Sequence, residues 1–146
     1  MSYRLPRYRV ALVREGSSHT DKKTVHSPED VHAIVAAEYA DAVVETAMML
    51  ALDTKNKVIG IFEISRGSLN ASIIHPRDIF QRAILVNAAS VILVHNHPSG
   101  DPTPSPEDIA LTKKLVEAGR VMDITVLDHV IVGEERFVSL KEQGAL

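Results

Sequence analysis

Ser90-Val91-Ile92-Leu93-Val94-His95-Asn96-His97-Pro98-Ser99-Gly100-Asp101-Pro102-Thr103-Pro104-Ser105-Pro106-Glu107-Asp108 is the stretch from which the rest of the chain can be read. Residues 90–94 form a continuous apolar run, as expected of a strand buried on both faces. The two histidines that follow are separated by one residue, and in extended backbone residues i and i+2 point the same way. Both imidazoles can therefore reach one point in space. A loop with Pro98, Pro102 and Pro104 then returns the chain to a helix start at Ser105, and the first turn of that helix carries Asp108. Two neutral imidazole nitrogens and one carboxylate make three ligands for zinc and leave a fourth tetrahedral position open, the arrangement of a catalytic site. Zinc there lowers the pKa of water to roughly 7 and so supplies a nucleophile.

Outward from this segment the elements alternate. Residues 44–52 and 57–65 read as two strands around the polar turn Asp53-Thr54-Lys55-Asn56, with a short third strand at 71–74. Pro76 starts a helix with Ile79, Phe80, Ala83 and Ile84 on one face. Ser105 caps a further helix that Gly119 is expected to end, and residues 124–127, 129–132 and 136–140 read as short strands. Upstream, Ser27-Pro28-Glu29-Asp30 opens a helix to about residue 40, with an N-cap serine, proline in the first turn and acids beside it. Residues 7–14 alternate apolar and polar like a half-buried strand, and 16–27 form a polar loop. This order predicts an α/β fold, a mixed sheet flanked by helices. Residues 24–146 are expected to form the domain, and residues 1–23 a strand and loop that belong to it or are appended to it.

The bulk numbers bound the function. A chain of 146 residues with 45% hydrophobic content suits one core. A net charge of −3, from 16 basic and 19 acidic residues, lacks the basic excess of proteins that track phosphates. Arg4, Arg7, Arg9, Lys22 and Lys23 are the nearest thing to a basic patch and read as a solvated edge. The absence of cysteine excludes disulfides, thiolate zinc sites and cysteine nucleophiles together. No apolar run approaches a membrane span. The first residues lack the apolar core of a signal peptide, so the cytoplasm is the expected compartment.

A hydrolase of this kind also needs a group to move protons, and Glu63 is the sequence candidate. It sits in the otherwise apolar Val58-Ile59-Gly60-Ile61-Phe62-Glu63-Ile64, where a buried carboxylate is costly unless paired or used. The plainer alternative is an acid at a strand end that reaches water or Arg66. Ser105-Pro106-Glu107-Asp108 repeats the tetrapeptide at 27–30, so by itself it signals only a helix start; the histidine pair upstream distinguishes it. Asp101 and Glu107 are alternative carboxylates, the first suited to a turn before Pro102 and the second to the helix dipole. His129, after Asp128 at a strand start, reads either as a structural hydrogen-bonded histidine or as a partner of a ligand. His75 looks like a helix-entry residue, and His19, His26 and His32 are expected to face solvent.

His95, His97, Ser105 and Asp108, with a glutamate on an upstream strand, resemble the JAMM motif of MPN+ metalloproteases. Arg66-Gly67-Ser68, His75-Pro76-Arg77-Asp78, residues 93–102 and Asp128-His129-Val130-Ile131-Val132-Gly133 resemble RadC-type proteins, and the resemblance covers about residues 24–146. It implies an MPN (JAB) domain with zinc as cofactor, in which Glu63 would hold and deprotonate the water and Ser105 would donate to the oxyanion of a tetrahedral intermediate. It also implies hydrolysis of a peptide or isopeptide bond in a peptide or protein substrate. Many RadC-type proteins carry a helix-hairpin-helix region before this domain. The roughly 25 residues ahead of it here predict no paired helices, which weakens a borrowed DNA-binding role. Two further readings stand beside the peptidase: an MPN-fold binding module associated with DNA, and a metal-dependent nuclease, since an activated water does not by itself separate an amide from a phosphodiester. His95-Asn96-His97 is not an HNH nuclease motif, whose residues spread over a ββα unit. A zinc nucleobase deaminase needs cysteines that this chain lacks.

Overall fold

The computed structural model describes residues 1–67 and 74–146. In chain order the elements are α1 (Pro28–Tyr39), β1 (Glu45–Leu52), β2 (Val58–Gly67), α2 (Pro76–Leu85), β3 (Ser90–Asn96), α3 (Pro106–Met122), β4 (Thr125–Val132) and β5 (Phe137–Ser139). The strands form one sheet in the order β2-β1-β3-β4-β5, with β3 and β4 parallel and every other pair antiparallel. The fold is thus the expected α/β mixed sheet with helices on both faces. β1 is joined to β2 by a tight turn in which Asp53 accepts from the backbone of Lys55 and Lys57. The parallel β3–β4 pair needs a crossover, and α3 supplies it.

The period-two alternation of β1 and β3 builds two cores. Ala47, Met49, Ala51, Val91 and Leu93 face α2 and α3, where Ile79, Phe80, Ala83 and Leu115 meet them. Met48, Leu50, Leu52, Ile92 and Val94 face α1 and pack on Val31, Ile34, Val35 and Tyr39. Covered on both faces and paired on both edges, β3 is buried throughout, as its apolar sequence requires. The Tyr39 hydroxyl lies 3.0 Å from the Thr46 carbonyl and 3.1 Å from that of Val94, tying α1 to the two central strands.

Several sequence expectations differ in detail. Residues 7–14 carry a strand pattern, yet residues 1–20 have no regular structure and are exposed. Alternation makes a strand only where a neighbour completes its hydrogen bonds, and among the described residues the segment has none. The strand expected at 71–74 falls largely outside the described residues. Strands expected at 124–127 and 129–132 are one strand, β4. Gly119 does not end α3, which runs to Met122 and stops at Asp123 in a left-handed conformation (φ 54°). A Cβ on Gly119 would lie 2.4 Å from the Ile124 carbonyl oxygen, so this glycine serves close packing instead of termination. Among the described residues no helix is long and apolar enough to cross a membrane.

The loop after His97 is locked onto the β4–β5 turn. His97 N–H donates to the Val132 carbonyl (2.8 Å), Gly100 N–H to the His97 carbonyl (2.9 Å) and Glu134 N–H to the Gly100 carbonyl (2.9 Å). Gly100, at φ +90°, takes a backbone conformation that glycine adopts without strain. A Cβ on Gly133 would stand 2.3 Å from the Gly100 carbonyl oxygen and 2.8 Å from Pro102 Cδ, neither of which can move freely. Gly133→Ala should therefore destabilise the protein by about 1–3 kcal/mol, as overpacking does. Denaturant melts of the variant and parent measure this; an unchanged midpoint would mean the loop is not held this tightly.

Candidate metal centre

His95 lies opposite Ala47 on the sheet face covered by α2 and α3, and is only 5% exposed. His97 follows just past the end of β3, and its ring turns to the same side, with the two Nε2 atoms 3.0 Å apart. Asp108 reaches them from the first turn of α3: Oδ1 lies 3.3 Å from His95 Nε2 and Oδ2 lies 3.3 Å from His97 Nε2. The turn that delivers it is a complete capping box. Asp108 N–H donates to Ser105 Oγ (3.1 Å) and Ser105 N–H donates to Asp108 Oδ2 (2.9 Å). A fourth group closes the cluster. Glu45, at the start of β1, puts Oε1 3.6 Å from His95 Nε2. Glu45, His95 and His97 each offer a ligand atom within 4.8 Å of the others.

The cluster fits a divalent cation. Ligands about 2.0–2.1 Å from a tetrahedral zinc stand about 3.3 Å from each other, and the spacings here are 3.0 and 3.3 Å. The hydrogen bonding agrees. His97 Nδ1 lies 2.9 Å from the Asp101 carbonyl oxygen, which can only accept, so the neutral ring carries its proton there. Its Nε2 is then a bare lone pair facing another imidazole nitrogen and a carboxylate. A cation, whether proton or metal, has to sit among such groups for them to remain this close.

Without metal, a proton fills that role. The Asp108 carboxylate raises the His97 pKa above its ordinary value, against the lowering effect of partial burial. Burial alone would raise Asp108, but the two histidines beside its carboxylate outweigh burial and hold the carboxyl well below the usual range. Burial, reinforced by the neighbouring His95, lowers His129 to about 3 and keeps it neutral. A raised histidine stabilises the fold below its unfolded value of 6.5, and this contribution is lost as pH rises through the folded value. A lowered carboxylate stabilises above its unfolded value of 3.8 and is lost as pH falls. The charged pair is therefore complete between about pH 4 and about pH 6.5 in the metal-free chain. The melting-temperature gap between metal-free parent and Asp108→Asn should be widest in that window and narrow as the solution becomes alkaline. A gap independent of pH would show that only the helix cap is lost.

Of the residues singled out in the sequence, His95, His97, Asp108 and Ser105 are brought together, and Glu63 is not. Glu63 stands opposite Met48 on β1, while its neighbours Phe62 and Ile64 pack into the core on the histidine side. It consequently points to the α1 face, where it bonds Arg66 Nε at 2.7 Å with 47% of its side chain exposed. The carboxylate at the histidines is Glu45, one strand nearer. Antiparallel pairing of β1 with β3, Ala47 beside His95, carries Glu45 to the end of the strand where the histidines emerge.

Asn96 then fixes it. Its side-chain oxygen accepts from Thr46 N–H (2.7 Å) and its amide donates to the Val44 carbonyl (3.0 Å), gripping the backbone on both sides of Glu45. The sequence signal for this was an amide between two ligands, but its partner depends on strand register. Asp101 is exposed and serves its turn, accepting from Thr103 N–H and Oγ1. Glu107 is exposed. His129 is fully buried with Nε2 2.7 Å from His95 Nδ1, so it is a partner of a candidate ligand. Asp78 accepts from the His75 N–H at the entry to α2. His19 and His26 face solvent, but His32 is partly covered and stacks on Phe137.

Comparison with known proteins agrees with this architecture. The RadC-like JAB domain family matches residues 25–145. A UPF0758 protein of Caldanaerobacter subterraneus subsp. tengcongensis is 53% identical over 128 residues, covering 88% of this chain and 55% of that protein. Another, of Methanococcoides burtonii, is 51% identical over 135 residues, covering 91% and 59%. The chain spans a little over half the length of these relatives. With the family matching nearly the whole described sheet and both histidines, this chain belongs to the RadC-like JAB domain family.

Proposed function

We propose that this domain is a zinc-dependent hydrolase of peptide or isopeptide bonds, with His95, His97 and Asp108 as metal ligands and Glu45 as general base. The observation that carries the reading is the convergence of two imidazole nitrogens and two carboxylates at the open end of β3: His97, Asp108 and Glu45 each stand 3.0 to 3.6 Å from His95 Nε2, and Asp108 also stands 3.3 Å from His97. Asp108 is preferred over Glu45 as the third ligand because its two oxygens approach both histidines, whereas Glu45 approaches only His95. The ion would supply Lewis acidity, lowering the pKa of water to roughly 7 and polarising a carbonyl oxygen.

The chain's own residues do the rest. Glu45, held by Asn96, takes a proton from the attacking water and returns it to the leaving amine, so no net proton is consumed. Ser105 Oγ accepts from Asp108 N–H, which leaves its own proton free for an oxyanion. Ala47, Ile74 and Leu111 line the pocket beside Glu45, His95 and Asp108, and this apolar surround strengthens their electrostatic contacts. The resemblance to MPN+ metalloproteases directs the reading to an amide instead of a phosphodiester.

Glu45→Gln should keep its zinc and lose about 100-fold or more in turnover, the scale of a missing general base. Asp108→Ala should lose most of its zinc, and Glu63→Gln should change neither. Zinc content by mass spectrometry, with a panel of peptide and isopeptide substrates, checks all three. Full turnover by Glu45→Gln together with loss in Glu63→Gln would overturn the assignment.

A further inference from the structure

Thr112, His129 and His95 form a hydrogen-bonded chain whose direction is set by one backbone carbonyl. We propose that Thr112 and His129 are positioning residues which decide that Nε2 of His95, and not a protonated Nε2–H, faces the metal. The proposal rests on the metal-site reading above and assigns these two side chains a role in it.

Thr112 lies one turn beyond Asp108 on α3, with Oγ1 2.7 Å from the Asp108 carbonyl oxygen. A carbonyl only accepts, so the hydroxyl proton is committed there. The same Oγ1 lies 2.6 Å from His129 Nδ1. With its proton spent, the hydroxyl can only accept, so His129 carries its proton on Nδ1. A neutral imidazole has one N–H; His129 is fully buried and forms no ion pair among the described residues, so it stays neutral and its Nε2 is bare. That nitrogen lies 2.7 Å from His95 Nδ1, which must donate. His95 is left with a bare Nε2 aimed at His97, Asp108 and Glu45.

Among the described residues no other side chain competes for these protons. Thr112 and His129 are fully buried, so water cannot replace a partner. The chain also closes on itself, because Asp108 supplies its backbone carbonyl to one end and its carboxylate to the cluster at the other. A single residue thus anchors the proton order and approaches both ring nitrogens. His97 reaches the same state separately, through the Asp101 carbonyl.

Replacing the Thr112 hydroxyl with a methyl removes the acceptor for His129 Nδ1–H. The His129 proton then favours Nε2 and is donated to His95 Nδ1, leaving the His95 proton on the atom that should bind metal. Thr112→Val should bind zinc about 10–100-fold more weakly in a competition titration, the usual effect of losing a partner behind a ligand. Thr112→Ser, which keeps the hydroxyl, should stay within about threefold of the parent by the same reasoning. Cobalt-loaded samples report the same loss through their visible absorption. His95→Ala is run alongside: if it binds zinc like the parent, the metal site itself is wrong, whereas loss in His95→Ala with parental binding in Thr112→Val overturns only the relay. Should Thr112→Val not fold, two-bond proton–nitrogen spectra of the metal-free parent labelled at histidine decide the matter. A proton on Nδ1 of both His129 and His95 is expected, and one on Nε2 of His129 overturns the proposal.

Discussion

Two imidazole lone pairs and two carboxylates gathered around His95 Nε2, each of the other three groups within 4 Å of it, repel, and the rest of the structure is arranged to hold them there. Each is brought by a different device. His95 is fixed by burial in a strand paired on both edges, His97 by a loop stitched to the β4–β5 turn, Asp108 by a helix cap, and Glu45 by the amide of Asn96. Such preorganisation is what makes a cation welcome: the energy of assembling like-natured groups has been met by folding before the ion arrives.

The devices are local, but they cooperate through the sheet. β1 and β3 are neighbours, so the start of one lies beside the end of the other, and the histidines emerge where Glu45 begins. β3 and β4 are parallel, so Leu93 and His129 share a face and His129 comes up behind His95. α3, the crossover that makes the parallel pair, begins beside the histidines with Asp108 and passes Thr112 under His129 one turn later. Moving any one of these strands by a single residue would turn Glu45, His95 or His129 to the other face.

Much of the candidate site was legible beforehand. The His-x-His pair needed only the period of a strand, and Asp108 only the return of a proline-rich loop to a capped helix. Glu63 and Glu45 were not separable in that way. Both are acids on upstream strands, and what distinguishes them is the face each presents: Glu63 alternates with Phe62 and Ile64, which fill the core on the histidine side, so it falls on the other. Residues 7–14 mislead for a related reason, since alternation records a capacity to pair and not the presence of a partner.

Composition, periodicity and capping chemistry act within a few residues of themselves, and they determined the helices, most strands, the mixed α/β class and three converging metal-ligand candidates. Strand order, register and the direction of hydrogen bonds between side chains far apart in the chain were decided only on folding. They depend on which backbone groups find partners across the sheet, and that choice is made by the whole core at once. Glu45, Asn96, Thr112 and His129 owe their places at the site to it.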